Sequence, residues 1–202
     1  KQPDGGGDYR EFIKINDEIS PQQRNSIINM LQENEARLRV EGKIQIAANP
    51  TVTAFAWPLK QALGYNDNGY YGISNYVDEN PAFPNLLLDY NCAARTYDQA
   101  SGYNHAGTDI FTWPFYWQKM ERNIVQIIAA APGTIIAKSD GNYDQNCAFC
   151  TVACNWNAVY IMHADGSVAW YGHMKSGSLI TKAVGETVQQ GEYLGVVGSS
   201  GN

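Results

Sequence analysis

Two runs of β-branched and aromatic residues, Trp156 to Ala164 and Ser167 to Met174, are separated by nothing but Asp165-Gly166. An Asp-Gly pair between two such runs is the strongest short-range signal for an antiparallel hairpin, because its residues accept the positive φ angles that a tight turn demands. Pairing Ala164 with Ser167 sets the register: His163 stands opposite Val168, and His173 opposite Ala158. The two rings are then expected on opposite faces. His163 shares its side with Val159, Ile161, Val168 and Trp170, an apolar set typical of a core; His173 shares its side with Tyr160, Met162 and Tyr171, a face suited to lining a groove. His163 is therefore read as a packed histidine and His173 as the functional one.

The rest of the chain supports a mainly β architecture. Ile124 to Ala130 and Thr134 to Lys138 read as strands around Ala131-Pro132-Gly133, and Phe55 to Leu59 as an edge strand, since Pro58 cannot donate to a central ladder. Glu186 to Val188 and Tyr193 to Gly198 flank Gln189 to Glu192 as a second hairpin. An all-antiparallel sheet is expected from about residue 51 onward. Before that point the period is helical. Ser20-Pro21-Gln22-Gln23 has the form of a capping box with Pro at the first helical position. Ile27, Ile28, Leu31 and Leu38 then share one face, Glu33 with Arg37 and Glu35 with Arg39 sit at ion-pair spacing, and Gly42 ends the helix. Residues 1–50 thus read as a tail and helical segment before the β-rich domain of residues 51–202, either a plain packing helix or the remnant of a pro-segment or spacer.

Composition narrows the class of function. With 14 basic against 20 acidic residues the net charge is −6, which offers no footprint for nucleic acid or anionic lipid. No run of about 20 apolar residues exists to span a bilayer. The chain opens at Lys1 without a Met or an apolar leader, as expected of a mature or excised piece. Three of the four cysteines, Cys147, Cys150 and Cys154, crowd together, with Cys92 apart. A four-thiolate zinc site would call for a second Cys-x-x-Cys, whereas two disulfides suit an exported chain. A bridge from Cys92 into the cluster would close a loop of about 55 residues and contribute about 4 kcal/mol.

Only three histidines exist, His105, His163 and His173, so any metal or acid-base chemistry runs through them. In a straight strand the α-carbons of His105 and Asp109 would stand about 13 Å apart, too far for one ion. A bend at Gly107 is needed to let imidazole and carboxylate converge at zinc-ligand distances. Five segments occur in order: His105-Ala-Gly-Thr-Asp109, Ile128-Ala-Ala-Ala-Pro-Gly-Thr134, Asn157 to Gly166, Trp170-Tyr-Gly-His173-Met174, and Val188 to Asn202. Over residues 103–202 they resemble the lysostaphin-type (LytM-type, glycyl-glycine endopeptidase) zinc metallopeptidases. The resemblance implies an antiparallel sheet of duplicated-hybrid-motif type and hydrolysis of peptide bridges or stems in bacterial peptidoglycan by a secreted or periplasmic monomer. It also implies His105 and Asp109 as zinc ligands and His173 as the residue assisting the transition state; Tyr103 and Tyr171 are each either a second donor or a packed aromatic. Family members carry a His-x-His pair after Ser-Gly-Asn, supplying the general base and third ligand. This chain stops at Asn202, so a site continued by further residues is expected. The alternatives are a non-catalytic wall-binding or amidase-regulating module of the same fold and, from the 13 Tyr and 5 Trp, a carbohydrate-binding or adhesion domain.

Overall fold

The computed structural model describes residues 19–44, 46–77, 106–146 and 154–201, together with the backbone of two short strands at 87–88 and 96–97. In chain order the elements are α1 (Pro21–Val40), β1 (Leu59–Gln61), β2 (Tyr71–Asn75), β3 (Leu87–Leu88), β4 (Thr96–Tyr97), β5 (Asp109–Thr112), α2 (Tyr116–Glu121), β6 (Val125–Ile128), β7 (Gly133–Ser139), β8 (Ala158–Met162), β9 (Val168–Tyr171), β10 (Thr187–Val188) and β11 (Tyr193–Val196). The protein is mainly β with one N-terminal helix of length. Two compact units emerge, one holding Gly72–Phe111, the other Ile19–Tyr71 with Thr112–Asn202. In the first, β3 pairs antiparallel with β4. None of the described helices is long and apolar enough to cross a membrane.

In the larger unit α1 begins as the sequence dictates. Ser20 Oγ accepts from the Gln23 N–H at 3.2 Å and the Gln23 side chain returns a bond to the Ser20 N–H at 2.9 Å. Gly42, at φ +70, follows the last turn, where a left-handed residue releases the chain from the helix. Arg39 pairs with Glu35 as expected, but Arg37 reaches forward to Glu41 at 2.8 Å rather than back to Glu33. A cation in the last turn is well placed there, near the carbonyl end of the dipole. Leu31 and Leu38 press against Ile136, Ala137, Ala158, Tyr160 and Met162, so the helix covers one face of a four-stranded sheet ordered β10-β7-β8-β9. Arg24 lies over the Trp170 ring at the same face, 5.8 Å from its centroid.

A second sheet, ordered β1-β6-β11, places β1 at an edge as Pro58 requires, although the strand starts only after the proline, at Leu59. The expected hairpin between residues 186–188 and 193–198 does not form. β10 pairs with β7, and β11 with β6, in different sheets. The reason lies in the turn between them: the Gly191 N–H donates to Ala129 O and the Ala129 N–H to Glu192 O, so the chain is captured by the end of β6 before it can fold back on β10.

The β8–β9 hairpin forms, but one residue out of the expected register. Val159 pairs with Tyr171, Tyr160 with Trp170, Ile161 with Ala169 and Met162 with Val168. The closing bond runs from the His163 N–H to Ser167 O, and the Gly166 N–H donates to His163 O, which makes Ala164-Asp165-Gly166 a three-residue loop with Gly166 at φ +86. Asp165 stabilises this longer turn by accepting from the Ser167 N–H and hydroxyl and from the Thr53 N–H, at 2.9, 2.6 and 2.7 Å. These bonds hold its carboxyl well below the ordinary carboxylate range, those from Ser167 contributing most. A one-residue slip exchanges partners between faces. Val168 and Trp170 therefore pack toward α1 with Tyr160 and Met162, while Tyr171 joins Val159 and Ile161.

Candidate functional site

With the observed register, positions 163 and 173 have the same parity, so alternation along the hairpin no longer places their rings on opposite sides. What separates them is burial. His163 closes the turn end, 2% exposed, with Nδ1 donating to Pro132 O at 2.8 Å and Phe55 packed edge-on at 5.1 Å. A carbonyl can only accept, so Nδ1 carries a proton; Nε2 is buried with no hydrogen-bond partner. His163 is a packed core residue.

His173 lies two residues beyond the end of β9, where strand alternation no longer applies, at φ +53. Few non-glycine residues take the left-handed region, and the surroundings must hold them there. Here the Gly198 N–H donates to His173 O at 2.9 Å and the Met174 N–H to Asn157 O at 3.0 Å, while Met174 bridges to Val197. The ring is fixed independently: Nδ1 donates to Ser200 O at 2.6 Å, and Trp156 meets the imidazole edge-on, centroids 5.1 Å apart and planes at 88°. A carbonyl oxygen only accepts, so Nδ1 carries a proton here too.

Behind His173 is a buried polar scaffold that the sequence did not single out. Asn157 and Ser200 are fully buried. Ser200 Oγ accepts from the Asn157 N–H at 2.8 Å and donates to Met174 O at 2.9 Å; Asn157 Nδ2 donates to Met174 O at 3.1 Å and to Asn142 O at 3.0 Å. Paired buried groups of this kind give a rigid local geometry, since breaking one bond strands its partner. Asn157 and Ser200 belong to the motif segments, but no periodicity marks their side chains as partners 43 residues apart.

The remaining candidates fall as follows. Asp109 opens β5 in the smaller unit, half-buried, and its Oδ2 accepts from Asn75 Nδ2 of β2 at 2.6 Å. Residues 106–108 lie outside the strand with a bend at Gly107. His105 and Tyr103 lie outside the described residues. Tyr171 is not a groove donor: its hydroxyl is buried and accepts from the Ala130 N–H at 2.9 Å, and burial raises its pKa. Among the described residues no group of three or more His, Cys, Asp and Glu side chains is placed to hold a metal. Imidazole and carboxylate are nonetheless suitable zinc donors, and the Asn75 amide orients the Asp109 carboxylate as a ligand's outer partner does. Cys154 is disulfide-bonded, and the pairing expected of Cys92 falls outside the described residues.

Residues 104–202 match the model of Peptidase family M23. No curated protein and no solved structure matches the chain.

Proposed function

Because residues 104–202 are a peptidase family M23 region, we propose that the protein is an exported zinc endopeptidase that hydrolyses peptide bonds in the cross-bridges or stems of bacterial peptidoglycan. The family match carries this reading, and the fixed geometry around His173 supports it. His105 and Asp109 would hold the zinc ion. The ion, when bound, polarises the scissile carbonyl and lowers the pKa of water toward 7. The Asn75 amide, which donates to Asp109 Oδ2, supports a ligand role for that carboxylate. His173 would assist the transition state as a hydrogen-bond donor; its Nδ1 bond to Ser200 O, which holds the ring in place, supports that role. Export, a monomeric state and a Cys92 disulfide belong to the same proposal.

The test is made on the full-length protein. Zinc analysis is expected to find about one equivalent, and a peptidoglycan suspension to clear, with His105→Ala abolishing both. Lysis that survives this substitution would overturn the assignment.

A further inference from the structure

The Ser200 carbonyl fixes one atom of the His173 ring, and a ring held at one atom can still pivot about that bond. Trp156 limits the pivot, because its indole meets the imidazole edge-on with planes at 88°. Trp156 itself is half-buried and lies outside any strand, so its own placement depends on its neighbours. Its Nε1–H donates to the Tyr160 hydroxyl at 2.8 Å, and its carbonyl accepts from the Asn142 amide at 3.1 Å. Two glycines let the backbone close on the indole: a Cβ at Gly172 would stand 2.6 Å from its Cε3, and one at Gly201 3.0 Å from its Cβ.

The first turn of α1 adds two ties from successive residues. Gln23 Nε2 donates to Cys154 O at 3.0 Å, which fixes the chain two residues before Trp156 and 131 residues from Gln23. Arg24 lies over the Trp170 ring, 5.8 Å from its centroid. Trp170 in turn meets Trp156 edge-on, centroids 6.5 Å apart and planes at 82°, and meets Tyr160 at 5.5 Å. The indole is therefore held between a segment tied by Gln23 and a strand tied by Arg24. Neither tie is needed to build or dock the helix. The Ser20 cap uses the Gln23 oxygen and leaves its Nε2 for Cys154, while Leu31 and Leu38 hold α1 on the sheet. Close-packed rings pass a displacement on to their neighbours, so loosening either tie loosens Trp156.

We propose that Trp156 is a positioning residue for His173, and that Gln23 and Arg24 of α1 act on His173 through it. The N-terminal helix is then a working part of the site, and losing its first turn frees the imidazole. The catalytic consequence rests on the peptidase reading, which it deepens; the hold on the ring does not.

The experiment follows the imidazole Nδ1–H resonance of His173 in the full-length protein, with hydrolysis of a soluble cross-bridge peptide in parallel and thermal melting as a folding control. A sharp, slowly exchanging resonance is expected in the wild type. Trp156→Ala should broaden it or lose it to exchange and lower kcat about tenfold with KM unchanged, and Trp156→Phe should restore most of both. Gln23→Glu keeps an oxygen for the Ser20 N–H but removes the donor to Cys154 O. That variant and Arg24→Ala are expected to shift the resonance in the same direction by less, and to add nothing in a chain already carrying Trp156→Ala. Arg37→Ala, which loosens the other end of α1, should leave the resonance unmoved. A wild-type resonance in folded Trp156→Ala, an Arg24→Ala effect that adds to that of Trp156→Ala, or an equal effect of Arg37→Ala would each overturn the proposal. If the resonance responds as expected but no chain hydrolyses the peptide, the peptidase reading goes and the hold on the ring stands. Hydrolysis with a resonance indifferent to Trp156 removes the positioning alone.

Discussion

The two ends of the β8–β9 hairpin hold the same side chain in different surroundings. At the turn end His163 is enclosed, with one nitrogen bonded to Pro132 O and the other facing protein without a partner. At the open end His173 is half-buried on a left-handed backbone, its ring fixed from behind by Ser200 O and Trp156. Both rings donate from Nδ1 to a backbone carbonyl, so the local hydrogen bond does not distinguish them. What distinguishes them is the surroundings: His163 is 2% exposed, whereas His173 is half-buried on a left-handed backbone beyond the end of β9.

The contrast breaks most sharply at His173. His173→Ala is expected to lower the rate of peptide hydrolysis about a hundredfold or more, as losing a transition-state donor does, with little change in melting temperature. His163→Ala is expected to do the reverse. It removes a packed ring and strands the Pro132 carbonyl, at about 2–3 kcal/mol in denaturant unfolding, while folded molecules keep their activity. A rate loss in His163→Ala comparable to that of His173→Ala would erase the distinction. Gly172→Ala sharpens it further. A Cβ there would meet Trp156 Cε3 at 2.6 Å, so the indole that walls His173 must shift; about 1–2 kcal/mol of stability and part of the activity should go together.

The smallest effect concerns the turn itself and appears only in acid. Asp165 has a folded pKa depressed below its unfolded value, so its contribution to stability is fully present above the unfolded pKa, about 3.9, and declines as pH falls below it toward the folded value. Melting temperatures measured from pH 6 down to 2 should therefore fall more steeply for the wild type than for Asp165→Asn. Parallel curves would remove Asp165 as the group that holds the three-residue loop.

Much of this was legible in the amino acids. Ser20, Pro21 and Gln23 define the start of α1 through bonds within four residues, and Asp165-Gly166 announces a hairpin wherever it sits. The buried role of His163 was also readable from its apolar neighbours. Of the neighbours expected beside it, Val159 and Ile161 share its side, but Val168 and Trp170 lie on the other face. Loop length was the missing quantity: the Asp165 carboxylate holds the longer turn through Ser167 and also through Thr53, 112 residues away along the chain. The supposed hairpin of residues 186–198 failed for a similar reason, because β7 and β6 compete for its two halves.

Local rules, then, determined caps, turns, strand-forming runs and the three histidines through which any imidazole chemistry must pass, because those depend on backbone preferences and on the side chains available. Only the tertiary structure decided which strands share a sheet, which face each residue takes, and that Trp156, Asn157 and Ser200 surround His173. Those outcomes depend on hydrogen-bond partners far apart in sequence, and no periodicity within a segment encodes a competition between distant segments.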